Sequence, residues 1–307
     1  MTLFDISGPD HEDPSLAEVY EELRSWDPDG SRLATVFRRT YDQLYDGQRT
    51  GRYRVDQLHK TEKTHFGTLI EINIQREFNI DDGETLDFKI AGHEVDCKFS
   101  HTAAWMLPIE SFDELALVTM ANDEQSTWSV GLIRVTEENR RSSENRDRKT
   151  GLNALGRSRI AWLHKNAPLQ PNALLRLPPT IADEIMSRSS GQARVNELLS
   201  RVTNTRISRN IIATVAQQDD YMKRVRDNGG ARGLLRQDGF LILGGDYRVQ
   251  QNIAREIGAV VPAPGELVSI RVVPSTPGKG VEISGTWWRI ANFDEPSLEA
   301  APKIPKV

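Results

Sequence analysis

The stretch Leu86-Asp87-Phe88-Lys89-Ile90-Ala91-Gly92-His93-Glu94-Val95-Asp96-Cys97-Lys98-Phe99 decides how the first half of this chain reads. Residues 86–90 and 94–99 each alternate apolar and polar side chains, which is the period of a strand. Ala91-Gly92-His93 between them suits a tight hairpin loop. On the second run Glu94, Asp96 and Lys98 leave one face, and Val95, Cys97 and Phe99 leave the other. Hairpin pairing can then bring Asp87 beside Asp96.

Working outward, Phe66, Leu69, Ile70, Ile74 and Phe78 recur at helical spacing and predict a helix over 65–79, with Thr64 as its N-cap. Asp81-Asp82-Gly83 forces a turn after it. Glu71 lies on the flank of the helix's apolar stripe, where it can reach the hairpin. Further upstream, a short helix near 15–25 and another at 31–46 (Leu33, Val36, Phe37, Leu44) are expected. Downstream, strands are expected at 115–121 and 127–135, and an arginine-rich helix at 150–165. Helices and strands in this order predict an α/β domain, a mixed sheet flanked by helices.

Asp87, Asp96 and Lys98 on neighbouring strands form a constellation suited to phosphodiester hydrolysis. Magnesium is a hard cation, commonly held by one or two carboxylates plus phosphate oxygens. Asp87 and Asp96 supply the carboxylates, and Glu71 can add a further metal or water ligand. Lys98 can orient the attacking water and bring positive charge to the phosphate.

The 307 residues suffice for two domains; 38% are hydrophobic and 27% charged, as in a soluble globular protein. No run of about eighteen apolar residues predicts a membrane span. Met1-Thr2-Leu3-Phe4-Asp5 lacks a basic segment followed by an apolar one, so no signal peptide is expected. A lone cysteine, Cys97, excludes an internal disulfide framework and a zinc ribbon. A cytoplasmic protein fits these features. The net charge of -5 argues against a nucleic-acid partner until its distribution is considered. Residues 1–30 hold nine acids and one base, so 38 bases face 35 acids in the remainder. Residues 134–165 and 191–236 each hold nine Lys/Arg against four Asp/Glu. Local charge decides phosphate contact, because salt screens beyond roughly 10 Å.

Asn166-Ala167-Pro168-Leu169-Gln170-Pro171-Asn172 reads as a linker, with domains at 1–165 and 173–307. Helices are expected from 180 to 227 and strands at 240–243, 267–273 and 281–290. Residues 192–216 predict a helix-turn-helix. Val195, Leu198 and Leu199 stripe its first helix, Thr203-Asn204-Thr205 makes the turn, and Ile207, Ile211, Ile212 and Val215 form the buried side of the second. Arg206, Ser208, Arg209, Asn210 and Thr214 are left for an outer side that can enter a major groove. Lys223, Arg224 and Arg226 can meet phosphates. Trp287-Trp288 is expected in core or dimer packing. His59, His65, His93, His101 and His164 show no metal-ligand spacing.

Glu71, Asp87 and Asp96-Cys97-Lys98, carried on helix, strand and strand, resemble the active-site pattern of the PD-(D/E)xK nuclease superfamily. Leu86 stands where that family usually has proline, and Asp96 where it often has glutamate; neither change removes a ligand. Within the superfamily, the stretch from Thr68-Leu69-Ile70-Glu71-Ile72-Asn73-Ile74-Gln75-Arg76-Glu77-Phe78 through Val95-Asp96-Cys97-Lys98-Phe99 resembles the type IIE restriction endonucleases, over nearly the whole chain. The resemblance implies magnesium bound by Glu71, Asp87, Asp96 and the backbone carbonyl of Cys97, with Lys98 assisting the nucleophile. It further implies a C-terminal winged-helix domain of the CAP type. It also implies a homodimer, duplex DNA bound at two sites as substrate and effector, and the target GCCGGC.

Leu44-Tyr45-Asp46-Gly47-Gln48-Arg49 resembles the Lys-Tyr-Asp-Gly-x-Arg motif of ATP-dependent DNA ligases. Leu44 has no amine, so no covalent adenylate can form on it. Two rivals remain at this point. A non-enzymatic helix-turn-helix regulator has no need of Asp87, Asp96 and Lys98, and a topoisomerase-like enzyme would change supercoiling without leaving breaks.

Overall fold

Asp13 opens the range described by the computed structural model, residues 13–143 and 145–304, and its carboxylate accepts the Leu16 amide to cap α1 (Pro14–Trp26). Asp27 does the same for α2 (Ser31–Tyr45): its buried carboxylate takes the amides of Arg32 at 3.1 Å and Leu33 at 2.8 Å. After the short α3 (Gly47–Thr50) comes α4 (Lys60–Phe78). Helix α4 begins earlier than its apolar stripe suggests. Glu62 reaches back to the His59 amide at 2.8 Å, so the first turn is closed one turn ahead of Thr64, which sits inside the helix.

Helix α4 lies beside a six-stranded sheet. Its strands are β1 (Asp81–Asp82), β2 (Phe88–Ile90), β3 (His93–Phe99), β4 (Leu115–Asn122), β5 (Thr127–Arg134) and β6 (Ala161–Pro168), in spatial order β1-β2-β3-β4-β5-β6. All neighbours are antiparallel except β3 and β4, which run parallel. The result is a mixed α/β architecture, a six-stranded sheet flanked by helices. Ala91 and Gly92 both take positive φ, so β2 and β3 are joined by a two-residue turn, and His93 already pairs with Ile90. Phe66, Ile70 and Ile74 of α4 are buried, and Phe66 stacks 4.5 Å from Phe99. Helix α4 therefore covers the Val95, Cys97 and Phe99 face of β3. The parallel β3–β4 pair needs a crossover. Residues 100–114 provide it and bring Trp105 and Leu107 into a cluster with Ala116, Val118, Ile133 and Ile160.

The arginine-rich helix expected at 150–165 is a correction. Only α5 (Ala154–Ser158) is helical, and residues from Ala161 form the edge strand β6. Ile160 and Ala161 are buried beside β5, where a Cβ on Gly131 would meet Ile160 Cγ2 at 2.6 Å. The arginines carried no helical stripe, whereas Ile160-Ala161-Trp162-Leu163 suits a strand. Strand β6 continues through Pro168, tolerated on an edge, so the segment expected as a linker starts inside the sheet.

The second unit contains Pro171 onward and, from far upstream, Tyr45–Gln57; the first contains the described residues up to Leu44 and Leu58–Gln170. The units are thus not consecutive blocks of sequence. In the second, α6 (Pro179–Ser187), α7 (Gly191–Arg201) and α8 (Arg209–Ala216) pack with Tyr53 around Val195, Leu198, Leu199, Ile211, Ile212 and Val215. Its strands are β7 (Ile207–Ser208), β8 (Phe240–Gly244), β9 (Glu266–Pro274), β10 (Val281–Ile283) and β11 (Thr286–Ile290). Both β7 and β8 pair with β9, and the β10–β11 hairpin continues from β9. The single run expected at 281–290 is therefore two strands. Trp288 is buried against Val268, Ile270 and Val272. Helices α9 (Ala231–Leu234) and α10 (Arg248–Glu256) flank β8. Among the described residues no helix is long and apolar enough to cross a membrane.

Helix α3 packs on α8 at Gly47, where a Cβ would stand 2.1 Å from Thr214 Oγ1 and 2.9 Å from the Arg52 carbonyl. The glycine of the ligase-like stretch is explained by this approach. Gly47→Ala is expected to lower stability by about 1–3 kcal/mol in urea unfolding, as overpacking does. Adding Thr214→Ala should recover part of that loss. A double mutant whose loss equals the sum of the singles would count against the contact.

Candidate active site

The β2–β3 register sets Phe88 opposite Val95, so Asp87, just before β2, stands opposite Asp96. Pairing on this register builds the centre. Asp87 Oδ2 accepts the Cys97 amide at 2.7 Å and the Lys98 ammonium at 3.1 Å. Lys98 Nζ also bonds Asp96 Oδ1 and, at 3.1 Å, the Cys97 carbonyl. Three oxygens from Asp87, Asp96 and Cys97 thus converge on one cation.

Asp96 is only 3% exposed, because the crossover covers its face of β3. Buried Ser111, at the end of the Ile109–Ser111 turn, donates to Asp96 Oδ2 at 2.6 Å. Both Asp96 oxygens are therefore bonded. Glu94 shares that face by period but does not join the cluster; its carboxylate takes the amides of Glu84, Thr85 and Leu86 instead.

Glu71 faces the cluster from α4. Burial raises its carboxyl pKa, and the negative charge of Asp87 adds to the shift. Burial likewise raises Asp96, against the pull of Lys98 and Ser111. For Lys98, burial works to release the proton, but Asp96 and Asp87 outweigh it and the ammonium is held above its usual range. The two carboxyls thus rise chiefly through burial, whereas Lys98 rises through its two anionic neighbours. Burial, with Asp87 adding to it, pushes the Cys97 thiol well up, so its sulfur stays protonated and its backbone carbonyl is the useful atom.

Among the described residues, no three His, Cys, Asp or Glu side chains form a metal cage by themselves. Two carboxylates and a carbonyl do converge, and they are all oxygen. That donor set suits a hard cation completing its shell with water and phosphate, as magnesium does. The Lys98 ammonium marks the point where those oxygens meet, and the excess negative charge favours a divalent ion. The residues present therefore fit magnesium, with Glu71 beside the set.

In the second unit four of the expected basic residues have partners within the protein. Arg206 bonds the Val261 carbonyl at 2.9 Å, Arg209 pairs with Asp246 at 2.6 Å, Lys223 with Asp220 at 2.5 Å, and Arg224 bonds Gln218 at 2.5 Å. Arg226 is exposed and Asn210 half-buried. Thr214, expected on an outer helix side, is buried at 2%. Helix α8 is buried from Ile211 to Ala216, and Tyr45–Gln57 covers the side that periodicity had left to solvent.

Ser111 and the clamp made by Glu94 were missed by sequence reasoning. Ser111 lies 15 residues from Asp96 and meets it only through the parallel crossover. For Glu94 a signal existed in Gly83, a glycine shortly before the hairpin, but nothing in the spacing named its partner.

A family model described as restriction endonuclease NaeI matches residues 17–299. The chain is also similar to the type II restriction enzyme NaeI of Lentzea aerocolonigenes, 48% identical over 305 residues, covering 96% of this chain and 95% of that protein.

Ser111→Ala leaves a buried Asp96 oxygen without its donor. A loss of about 1–3 kcal/mol is expected from urea titration. An unchanged midpoint would mean that this oxygen finds another donor.

Proposed function

This chain belongs to the restriction endonuclease NaeI family, and on that premise we propose that it is a magnesium-dependent type II restriction endonuclease hydrolysing both strands of duplex DNA at a specific palindromic site. The observation that carries this reading is the convergence of Asp87, Asp96 and the Cys97 carbonyl on a single cation position. By resemblance to that family the target is GCCGGC; the composition of the chain fits the cytoplasm as its place of action. Two antiparallel strands call for two related centres, hence a homodimer.

Asp87, Asp96 and the Cys97 carbonyl would hold the ion, with Glu71 ligating it directly or through water. When bound, magnesium supplies Lewis-acid charge to the scissile phosphate and acidifies the attacking water. Lys98 would then turn its N–H donors to that water and to the phosphate oxygens. The Cys97 amide fixes the direction of Asp87, and Ser111 fixes that of Asp96. Second-sphere bonds of this kind set both the orientation and the basicity of ligands.

The second unit is proposed as a winged-helix effector domain that binds a second copy of the site and stimulates cleavage. The strand order β7-β9-β8 beside α7 and α8 supports that reading. In it α8 is the inner helix of the pair, and the segment from Tyr221 takes the outer position. Lys223, Arg224 and Arg226 stand on that segment, while Arg206, Arg209 and Asn210 flank the start of α8. Exposed pairs such as Arg209–Asp246 contribute little and can be exchanged for phosphate contacts.

Plasmid carrying the site should be cut to fixed fragments with magnesium and left intact with a chelator. Asp96→Asn should abolish cutting while duplex binding, read by fluorescence anisotropy, survives. Binding without scission by the unmodified protein would favour a regulator, and altered supercoiling without breaks a topoisomerase. A short duplex bearing the site should accelerate cleavage of a poor plasmid substrate. Arg209→Ala and Arg226→Ala should weaken that acceleration while leaving cleavage of a good substrate intact; unchanged acceleration would count against the effector assignment.

A further inference from the structure

Glu94 carries an inference that rests on the nuclease reading and deepens it. The period of β3 sends its side chain to the same face as Asp96 and Lys98, which would make it a candidate ligand. Both of its oxygens are already engaged. Oε1 accepts the Glu84 amide at 2.7 Å, and Oε2 accepts the amides of Thr85 at 3.0 Å and Leu86 at 2.8 Å. Three successive backbone donors point at one carboxylate, as in an anion nest. The turn that allows this needs Gly83, since a Cβ there would stand 2.3 Å from the Leu86 carbonyl and 3.0 Å from Glu94 Oε2.

What this clamp holds is the residue that follows it. Asp87 lies outside β2, which starts at Phe88, so it borrows its position from its neighbours. Phe88 is fixed by pairing with Val95, and Leu86 by Glu94. Between these anchors the Asp87 carboxylate is delivered to the Cys97 amide and the Lys98 ammonium.

We propose that Glu94 is a positioning residue: by clamping the 84–86 turn it fixes Asp87 as a metal ligand, and so sets the affinity of the centre for its divalent ion without touching ion or substrate. Because Glu94 belongs to β3, the same strand carries Asp96 and Lys98 and aims the third group through the turn.

The test uses the full-length protein and two routes to the same defect. Glu94→Gln keeps length but weakens the clamp by placing an amide N–H₂ among amide donors, and Gly83→Ala disturbs the turn with Glu94 intact. Calcium binding is measured by calorimetry without DNA, and the magnesium midpoint of plasmid cleavage is measured at saturating DNA. Both variants are expected to weaken calcium binding and raise the magnesium midpoint by about 10-fold, the low end of the range for a direct partner of a ligand, because the clamp acts through the turn. The rate at saturating magnesium should stay close to that of the unmodified protein, and hydrogen exchange of the 84–86 amides should accelerate. Glu94→Asp, which keeps the charge one methylene short, should restore part of the affinity. Unchanged calcium affinity and magnesium midpoint in both folded variants would overturn the proposal, as would a fall in the saturated rate with no change of midpoint. If instead the unmodified protein neither cuts nor binds calcium in a manner lost in Asp96→Asn, the nuclease reading itself fails.

Discussion

One ammonium among three oxygens is the constraint to which the first unit is built. Asp87, just before β2, and Asp96 on β3 stand opposite each other, a placement that like charges oppose. Lys98 offsets that repulsion by bonding both carboxylates and the Cys97 carbonyl at once. An arrangement of this kind is poorly justified by stability. Burying charged groups costs several kcal/mol per ion before pairing recovers it, and apolar side chains of similar volume often do as well or better. A protein that keeps such a cluster next to a well-packed core is spending stability on chemistry, which is where perturbed ionisation concentrates.

Each neighbouring element acts on that cluster through one contact. The two-residue turn at Ala91-Gly92 sets the register that opposes Asp87 to Asp96. The parallel neighbour β4 requires a crossover, and that crossover buries Asp96 and lends it Ser111. Helix α4 packs Phe66 on Phe99 from the other face and brings Glu71 close enough to feel the charges of Asp87, Lys98 and Asp96. A hairpin alone would present the same side chains to water. The crossover takes water away from Asp96, strengthening the contacts that this carboxylate makes.

The parts of this site legible in the sequence were those set by local period. Alternation over 94–99 gave the faces of β3, and the spacing of Phe66, Ile70 and Ile74 gave α4 and hence Glu71. What was hidden depends on partners distant along the chain. Ser111 is silent until a parallel strand pair forces residues 100–114 across the sheet. Period alone put Glu94 on the face of Asp96, and only the placement of the 84–86 amides turns it into a clamp. Residues 150–165 misled through composition: arginines suggested one long helix, while β5 offered Ile160 and Ala161 a buried edge. The outer side of α8 misled in the opposite way, because periodicity cannot tell solvent from a segment that arrives from residue 45 onward.

That segment changes what a domain boundary means in this protein. Tyr45–Gln57 leaves the first unit after α2, gives Tyr53 and α3 to the core of the second, and returns to begin α4. The Asn172 side-chain amide donates to the Tyr53 carbonyl at 3.0 Å, closing the second unit around this visitor. A chain divided near residue 171 would therefore deprive the second unit of a buried tyrosine and of the helix against α8. The stretch whose spelling resembles a ligase motif is better understood as this structural insertion. Gly47 is small because Thr214 is close, and Leu44, the last residue before the crossing, is buried at 8% where a charged amine would need a partner.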